Sequence, residues 1–192
     1  MSPTCAADVR ESESLSPVFR SAHPSDLGAL LALIADDTLG KNREFDAANP
    51  SYLQAFEAIS ADPNQQLLVA ELDGRIIGMA QLSFIPGLSR GGAWRCNVEA
   101  VRIASDVRGQ GLGAQLMRAC EERARERGCS LLQLTSDASR VDAHRFYRGL
   151  GYVDSHIGFK KQLPDSTAVS SPREKRPLQT NPDSRLPNPG SQ

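Results

Sequence analysis

Hydrophobic and polar positions along the chain follow two periods, which together predict alternating helices and strands. Helical spacing first occurs at residues 27–34, where leucine and isoleucine recur every three or four positions and predict one buried face. Shorter apolar runs follow, and Asp73-Gly74 between two of them predicts a tight hairpin turn. The predicted elements are a strand starting at 18, a helix starting near 24, a helix at 50–61, strands at 66–71, 75–85 and 94–103, a helix at 114–127, a strand at 130–135, a helix at 141–150 and a strand at 152–163.

Both ends of the chain depart from this pattern. Residues 1–16 are small and polar, and residues 164–192 hold six of the twelve prolines with few large apolar side chains. Segments of this composition cannot bury enough apolar surface to form a core, so both are predicted to be disordered. The sequence therefore predicts one folded domain at residues 17–163.

Composition and charge narrow the function classes. The net charge is −1 over 192 residues, which gives no reason to expect nucleic-acid or anionic-membrane binding. Apolar runs are too short to span a bilayer, and the acidic N-terminal stretch lacks the apolar core of a secretory signal. We therefore expect a cytoplasmic protein. The four cysteines, Cys5, Cys96, Cys120 and Cys129, have no metal-ligand spacing, so no metal is expected.

A glycine-rich loop, Arg108-Gly109-Gln110-Gly111-Leu112-Gly113, separates the predicted strand at 94–103 from the predicted helix at 114–127. Glycine at every second position lets the backbone approach a ligand closely. The start of the helix adds free N–H groups and a dipole that favours an anion. The loop therefore predicts a phosphate or pyrophosphate site, and a plain glycine-rich turn is the structural alternative.

Two phosphate ligands fit this loop. The spacing Gly109-x-Gly111-x-x-Ala114 matches a dinucleotide fingerprint. A dinucleotide domain, however, places the fingerprint after its first strand and continues with several further strand–helix units. Here several predicted strands and two predicted helices come first, little chain follows, and the hairpin at Asp73-Gly74 argues for antiparallel strands.

The same loop reads Arg108-x-x-Gly111-x-Gly113, which resembles the acetyl-CoA pyrophosphate loop of the GNAT family of N-acetyltransferases. Residues 143–152, Ala-His-Arg-Phe-Tyr-Arg-Gly-Leu-Gly-Tyr, resemble a second segment of that family, Ala-x-x-Phe-Tyr-x-x-x-Gly-Phe/Tyr. The order of predicted elements over residues 17–163 is similar as well. The resemblance implies an α/β (α+β) fold with a mixed, mostly antiparallel central sheet flanked by helices.

The resemblance also implies acetyl-CoA as acyl donor and assigns roles to residues. Tyr147 matches the family tyrosine that gives a proton to the CoA thiolate. The family often has asparagine where this chain has Arg140, so Ser136 or Ser139 is the alternative contact to the CoA arm. Backbone contacts to the acetyl and pantetheine groups are implied for Val101, Arg102 and Ile103, and pyrophosphate contacts for Arg108, Gly109, Gln110, Gly111, Leu112, Gly113 and Ala114.

Glu99 is the candidate base for deprotonating the amine. Strand alternation places it on one face with Val101 and Ile103, and an acid in a half-buried strand is costly unless it is paired or functional. The alternatives are an ion pair with Arg95 or Arg102, and a water chain as the base. The remaining candidates are Asp137, Asp142 and Glu71 for binding a cationic amine, and His144 and His156, which we interpret as structural or exposed.

We therefore expect an N-acetyltransferase that moves an acetyl group from acetyl-CoA to a primary amine of a small molecule or protein. The alternatives are a non-catalytic acyl-CoA-binding or regulatory module on the same fold, and a dinucleotide-binding module. The presence of Tyr147 favours the enzyme, because a binding module has no use for a proton donor at the sulfur. A homodimer is left open.

Overall fold

The computed structural model describes residues 16–36 and 46–163, so the predicted tails lie outside the described residues except at Ser16. The described residues up to His156 belong to one compact unit. Residues 157–163 belong to a second unit and form neither helix nor strand. The helices and strands are β1 (Val18–Ser21), α1 (Leu27–Ala35), α2 (Ser51–Ala61), β2 (Gln65–Leu72), β3 (Arg75–Ile85), β4 (Trp94–Ile103), α3 (Leu112–Glu126), β5 (Cys129–Leu134) and α4 (Val141–Gly149).

The five strands form one sheet in the order β1-β2-β3-β4-β5. The first three pairings are antiparallel and the last, β4 with β5, is parallel. The hairpin between β2 and β3 turns at Asp73 and Gly74, whose φ angles of 51° and 76° are those that a two-residue hairpin turn requires. The predicted mixed, mostly antiparallel sheet is therefore confirmed, and it is incompatible with the all-parallel sheet of the dinucleotide alternative.

Helices cover both faces of the sheet. On one face α3 buries Leu116 and Cys120 against Leu82 and Val98 of the central strands. On the other face α1 and α2 pack against β2 and β3. Burial on both faces explains why β2 and β3 carry nearly continuous apolar runs. No helix in the described part of the chain is long and apolar enough to cross a membrane.

The predicted strand at residues 152–163 is wrong, because the structure gives these residues no strand pairing. The sheet ends at β5. Val153, one of the apolar residues on which the prediction depended, is 80% exposed. An apolar alternation fixes which face of a strand is buried, but a strand also needs a neighbouring edge for its backbone hydrogen bonds.

A half-buried ion network joins the start of the domain to the sheet. Arg20 on β1 donates to Asp26 at 2.7 Å and to Glu71 on β2 at 2.7 Å. Asp26 also accepts the His23 N–H at 2.8 Å, and the Asp26 residue is only 9% exposed. The Arg20 hydrogen bond holds the pKa of Asp26 below its ordinary value, although burial acts in the opposite direction. The network thus fixes the chain between β1 and α1.

We predict that Asp26→Asn lowers the free energy of unfolding at neutral pH by about 1–3 kcal/mol, since the half-buried Arg20 loses one of its two charged partners. A carboxyl whose folded pKa is lowered stabilises the fold above its ordinary pKa of 3.8 and loses that contribution as the pH falls through the folded value. The variant should therefore lose less stability between neutral and acid pH. Urea unfolding at several pH values measures both effects.

The control is Asp106→Asn, which breaks an ion pair with Arg75 whose side chains are 54% and 57% exposed. Exposed pairs contribute little, so this variant should unfold as the unmodified protein does. Equal losses in the two variants would show that the Arg20 network has no special role.

Candidate active site

The site lies where β4 extends beyond the end of its neighbour β5. Parallel pairing runs from Trp94 and Cys129 to Val98 and Leu134 and stops there. β4 nevertheless continues to Ile103 and remains paired with β3 on its other side. Residues 99–103 therefore present a strand edge toward an opening between β4 and β5. Such an edge offers backbone donors and acceptors to an extended ligand.

A bulge at Ala100 lies within this exposed edge. Gln81 of β3 pairs with Glu99 and Met79 pairs with Arg102, so two residues of β4 stand opposite one of β3. Ala100 has a φ of 50° in the left-handed region. An extra residue of this kind bends the strand and re-aims its backbone, which is frequent at functional sites.

The bulge corrects the predicted strand alternation. Cys96 and Val98 pack on the α3 side of the sheet, and Val101 and Ile103 pack on that same side, whereas Ala100 packs against the α1–α2 side. The extra residue shifts the parity of every position after it. The expectation that Glu99 shares a face with Val101 and Ile103 is therefore wrong.

The glycine loop leaves the start of α3 bare. Gly109 and Gly111 have φ values of 79° and 78°, and no atom lies within 4 Å of the place where a Cβ would stand on either residue. The N–H groups of Ala114 and Gln115 donate to the Gly111 carbonyl. The N–H groups of residues 109–113 donate no backbone hydrogen bond within the described part of the chain. Free donors at the start of a 15-residue helix form an anion site.

Gly113 has a packing role that differs from that of the other two glycines. A Cβ on Gly113 would stand 3.3 Å from Cζ of Phe146 and 3.9 Å from Cγ1 of Ile103. Its missing side chain lets the end of β4, the start of α3 and the middle of α4 meet at one point. Leu112 beside it is 2% exposed and belongs to the core, so it can contribute only its backbone to a ligand.

Arg108 is held by the protein itself. Its Nε donates to the Ile103 carbonyl at 2.9 Å, and its Nη2 donates to Asp36 at 3.1 Å. Asp36, just after α1, also accepts the Ser105 N–H at 2.9 Å. These bonds tie the glycine loop to the end of β4 and to α1. The guanidinium therefore shapes the loop, and part of its charge is already balanced.

Tyr147 lies on α4 next to Phe146, and therefore beside the point where α4 meets the start of α3. Its ring packs edge-on against Phe146 at 5.1 Å and against Tyr152 at 5.9 Å. Burial raises the pKa of Tyr147 above its ordinary value, and the charges of Arg140 and Arg102 act in the opposite direction. The phenol therefore keeps its proton at neutral pH and can donate it.

The two serines between β5 and α4 differ in their surroundings. The Ser139 hydroxyl donates to Asp137 at 2.6 Å, and the Ser139 N–H donates to the same oxygen at 2.9 Å. The Ser136 hydroxyl oxygen is buried and has no hydrogen-bond partner among the described residues. A buried hydroxyl without a partner is uncommon and is often completed by a ligand or water.

Glu99 is exposed and makes no ion pair or hydrogen bond in the described part of the chain. The anticipated ion pair with Arg95 or Arg102 is not formed, and the carboxylate is not half-buried as the sequence predicted. Its place at the start of the unpaired edge of β4 is what keeps it a candidate base.

The other candidate side chains have structural partners. His144 Nε2 lies 2.9 Å from the Asp137 carbonyl, and His156 Nδ1 lies 2.8 Å from the Ser155 hydroxyl. Glu71 binds Arg20, and Asp142 binds Arg145. These contacts account for the two histidines and for two of the three acids that were candidates for binding a cationic amine.

The described cysteines are inert thiols. Cys96, Cys120 and Cys129 are free, and burial raises the pKa of Cys96 and of Cys120 to about 12. Neither of these two thiols forms a thiolate at neutral pH. In residues 16–36 and 46–163, no group of three or more His, Cys, Asp or Glu side chains could hold a metal ion.

Comparison with known proteins identifies this arrangement. A family model described as the acetyltransferase (GNAT) family matches residues 31–152, which is more than half of the chain. The chain belongs to the GNAT family. GNAT enzymes use acetyl-CoA as acyl donor, and the chain is accordingly an acetyl-CoA-dependent N-acetyltransferase.

Relatives in the GNAT family cover most of the chain. An aminoalkylphosphonate N-acetyltransferase from Salmonella typhimurium is 34% identical over 157 residues, 81% of this chain and 98% of the relative. A streptothricin acetyltransferase from Streptomyces lavendulae is 27% identical, over 78% of this chain and 87% of the relative. A solved structure described as a transcriptional regulator from Bacillus halodurans is 44% identical with a TM-score of 0.73, and covers 77% of this chain and 100% of that one.

We predict that Gly111→Ala weakens acetyl-CoA binding by about tenfold or more, because a methyl group then stands where the GNAT pyrophosphate must approach bare backbone. Calorimetric titration of the folded variant measures the dissociation constant. The matched control is Gly128→Ala, since Gly128 follows the end of α3 with a φ of 72° and also has no atom within 4 Å of its missing Cβ.

Both variants place alanine in the left-handed region, at a cost of about 1–2 kcal/mol in folding free energy. Only Gly111→Ala should affect the ligand. If the two variants bind acetyl-CoA equally well, the glycine loop is a turn and not the pyrophosphate site.

Proposed function

We propose that the protein acetylates a primary amine of a small molecule, with the acetyl-CoA pyrophosphate on the N–H groups of residues 109–113 and the thioester beside Tyr147. The observation that carries this proposal is the meeting of three elements at Gly113, where Ile103 of β4 and Phe146 of α4 lie within 4 Å of the missing Cβ. That contact brings the anion site of α3, the free edge of β4 and the Tyr147 helix to one place.

The pantetheine arm is proposed to lie along residues 99–103, between β4 and β5. The backbone of Val101, Arg102 and Ile103 would then form hydrogen bonds with its amides in the way a neighbouring strand does. The bulge at Ala100 reorients the backbone, which supports the proposal that an N–H of this stretch points at the thioester carbonyl and polarises it. Ser136, whose buried hydroxyl has no partner, is a better candidate than Ser139 for a further contact to this arm.

The reaction forms a carbon–nitrogen bond and breaks the carbon–sulfur bond of the thioester. The amine attacks as the neutral base, so its ammonium first gives a proton to Glu99 or to water. The CoA sulfur then leaves with the electrons of the carbon–sulfur bond and takes the proton of the Tyr147 phenol, while the attacking nitrogen gives its second proton to water. The Tyr147 phenolate regains a proton from water before the next cycle. Burial raises the pKa of Tyr147, which keeps this proton in place until the thiolate develops.

The small-molecule acceptor rests on the relatives. Two relatives that match across most of their length are named for aminoalkylphosphonate and streptothricin, and a third, from Serratia marcescens, is an aminoglycoside N(6')-acetyltransferase 26% identical over 55% of this chain. All three names specify small molecules. We therefore favour a small amine over a protein amine as the acceptor.

We also propose a cytoplasmic location, which agrees with the free thiols of Cys96, Cys120 and Cys129. The homodimer stays a prediction. Light scattering on the purified protein distinguishes a monomer from a dimer.

We predict that Tyr147→Phe lowers kcat by about 10²- to 10⁴-fold, the usual value of a positioned general acid, while the dissociation constant for acetyl-CoA changes by less than about threefold. The substitution keeps the ring and its contacts with Phe146 and Tyr152. The loss should shrink with an acyl donor whose thiol is more acidic, because that thiolate needs less protonation. Release of free thiol with an accepted amine measures the rate.

Tyr152→Phe is the control, since it removes a second partly buried phenol from the same aromatic group. The Tyr152 hydroxyl is 3.4 Å from Glu121, so it has a structural partner. Its loss should leave kcat within about threefold. An unchanged kcat in Tyr147→Phe, with chemistry shown to be rate-limiting, would remove Tyr147 from the mechanism and favour the non-catalytic acyl-CoA-binding alternative.

A further inference from the structure

Arg140 is a partly buried cation without a counter-ion. It precedes the first residue of α4, and its guanidinium makes no hydrogen bond or ion pair with the described residues. The two arginines within α4 differ, because Arg145 pairs with Asp142 and Arg148 pairs with Asp154. A guanidinium that has no acceptor within the protein keeps its N–H donors available to an anionic ligand.

Arg140 lies on the Tyr147 side of the site. Arg140 is the N-cap of α4, and its carbonyl accepts the His144 N–H at 3.0 Å, so Tyr147 follows it by about two helical turns on the same side of the helix axis. Helical side chains lean toward the start of the helix, so the Tyr147 ring leans toward Arg140. Burial raises the pKa of Tyr147, and the charges of Arg140 and Arg102 both reach the phenol and act against that rise. In the described part of the chain, the ionised side chains that act on this phenol are therefore both cations.

The acyl donor, acetyl-CoA, does not supply an anion for Arg140. The CoA pyrophosphate is assigned to the start of α3, and the whole pantetheine arm separates it from the sulfur. The sulfur end of acetyl-CoA, beside Tyr147, carries no phosphate. An anionic group bound near Tyr147 therefore belongs to the acceptor.

We propose that Arg140 determines acceptor specificity by binding an anionic substituent of the amine, a phosphonate, phosphate or carboxylate. This inference rests on the proposed acetyl transfer at Tyr147. A guanidinium binds the two oxygens of such a group through parallel N–H bonds, which also fixes the orientation of the attached amine. The same positive charge disfavours an acceptor that carries further ammonium groups.

The test uses acceptors that share an aminoethyl group and differ in charge. 2-Aminoethylphosphonate and β-alanine carry an anion, ethanolamine carries a neutral hydroxyl, and ethylenediamine carries a second amine. Their kcat/KM values are measured with acetyl-CoA, and their binding to the CoA-loaded protein is measured by calorimetry. The calorimetric measurement gives a result even for an amine that is not acetylated.

The unmodified protein should prefer the two anionic acceptors over ethanolamine, and ethanolamine over ethylenediamine. Arg140→Gln should reduce the ratio of kcat/KM between 2-aminoethylphosphonate and ethanolamine by about 10- to 100-fold, the usual value of a hydrogen bond between charged groups. Arg140→Lys keeps the positive charge but cannot form two parallel N–H bonds, so its kcat/KM ratio should lie between those of the unmodified protein and Arg140→Gln. Arg145→Gln, on the same helix, is the control and should keep the original ratio.

Three results would overturn the proposal. They are equal binding of anionic and neutral acceptors by the unmodified protein, an unchanged ratio in Arg140→Gln, and a loss of acetyl-CoA affinity in that variant without a change in the ratio. Each leaves acetyl transfer intact if free thiol is still released with some amine. If none of the amines is acetylated but 2-aminoethylphosphonate binds through Arg140, the proposed reaction fails while the anion site stands.

Discussion

The separation of β4 from β5 is the constraint on which the site depends. A strand inside a sheet has no free backbone groups, because both of its edges are paired. Beyond Val98, one edge of β4 is no longer paired, because β5 ends at Leu134 while β4 continues to Ile103. Parallel pairing up to that point holds the two strands firmly, and its end opens a strand edge whose position is set by the rest of the sheet. The bulge at Ala100 lies inside this stretch and re-aims the backbone where the proposed thioester lies.

The chemistry is arranged around that edge by close packing of elements that are distant in sequence. Gly113 lets α3 and α4 meet the end of β4, and Arg108 binds both the Ile103 carbonyl and Asp36 after α1. Rigid packing of this kind fixes the glycine loop relative to Tyr147. A thioester held by its pyrophosphate at one end then has its sulfur placed at the other by the length of the pantetheine arm. The proposed cation at Arg140 adds a means of orienting the amine.

Much of this could be predicted from sequence because its signals are local. The glycine loop, the Phe146-Tyr147 segment and the Asp73-Gly74 turn each depend on a few adjacent residues, and the structure places each in the expected element. The bulge at Ala100 could not be predicted, because it is defined by a partner strand. For the same reason the face and exposure of Glu99 were mispredicted, and so was a strand at residues 152–163. Asp36 gave no signal at all, since its partner Arg108 is 72 residues away.

The central claim is that one acetyl-CoA molecule occupies both the bare start of α3 and the free edge of β4. Amide hydrogen exchange, followed by residue with and without acetyl-CoA, tests it most directly. The account predicts that acetyl-CoA slows amide exchange both at residues 109–113 and at residues 101–103. These two segments belong to different elements, so a ligand that protects both must contact both. Protection of the glycine loop without protection of β4 would contradict it, because the ligand would then bind as a phosphate alone and leave the thioester away from Tyr147.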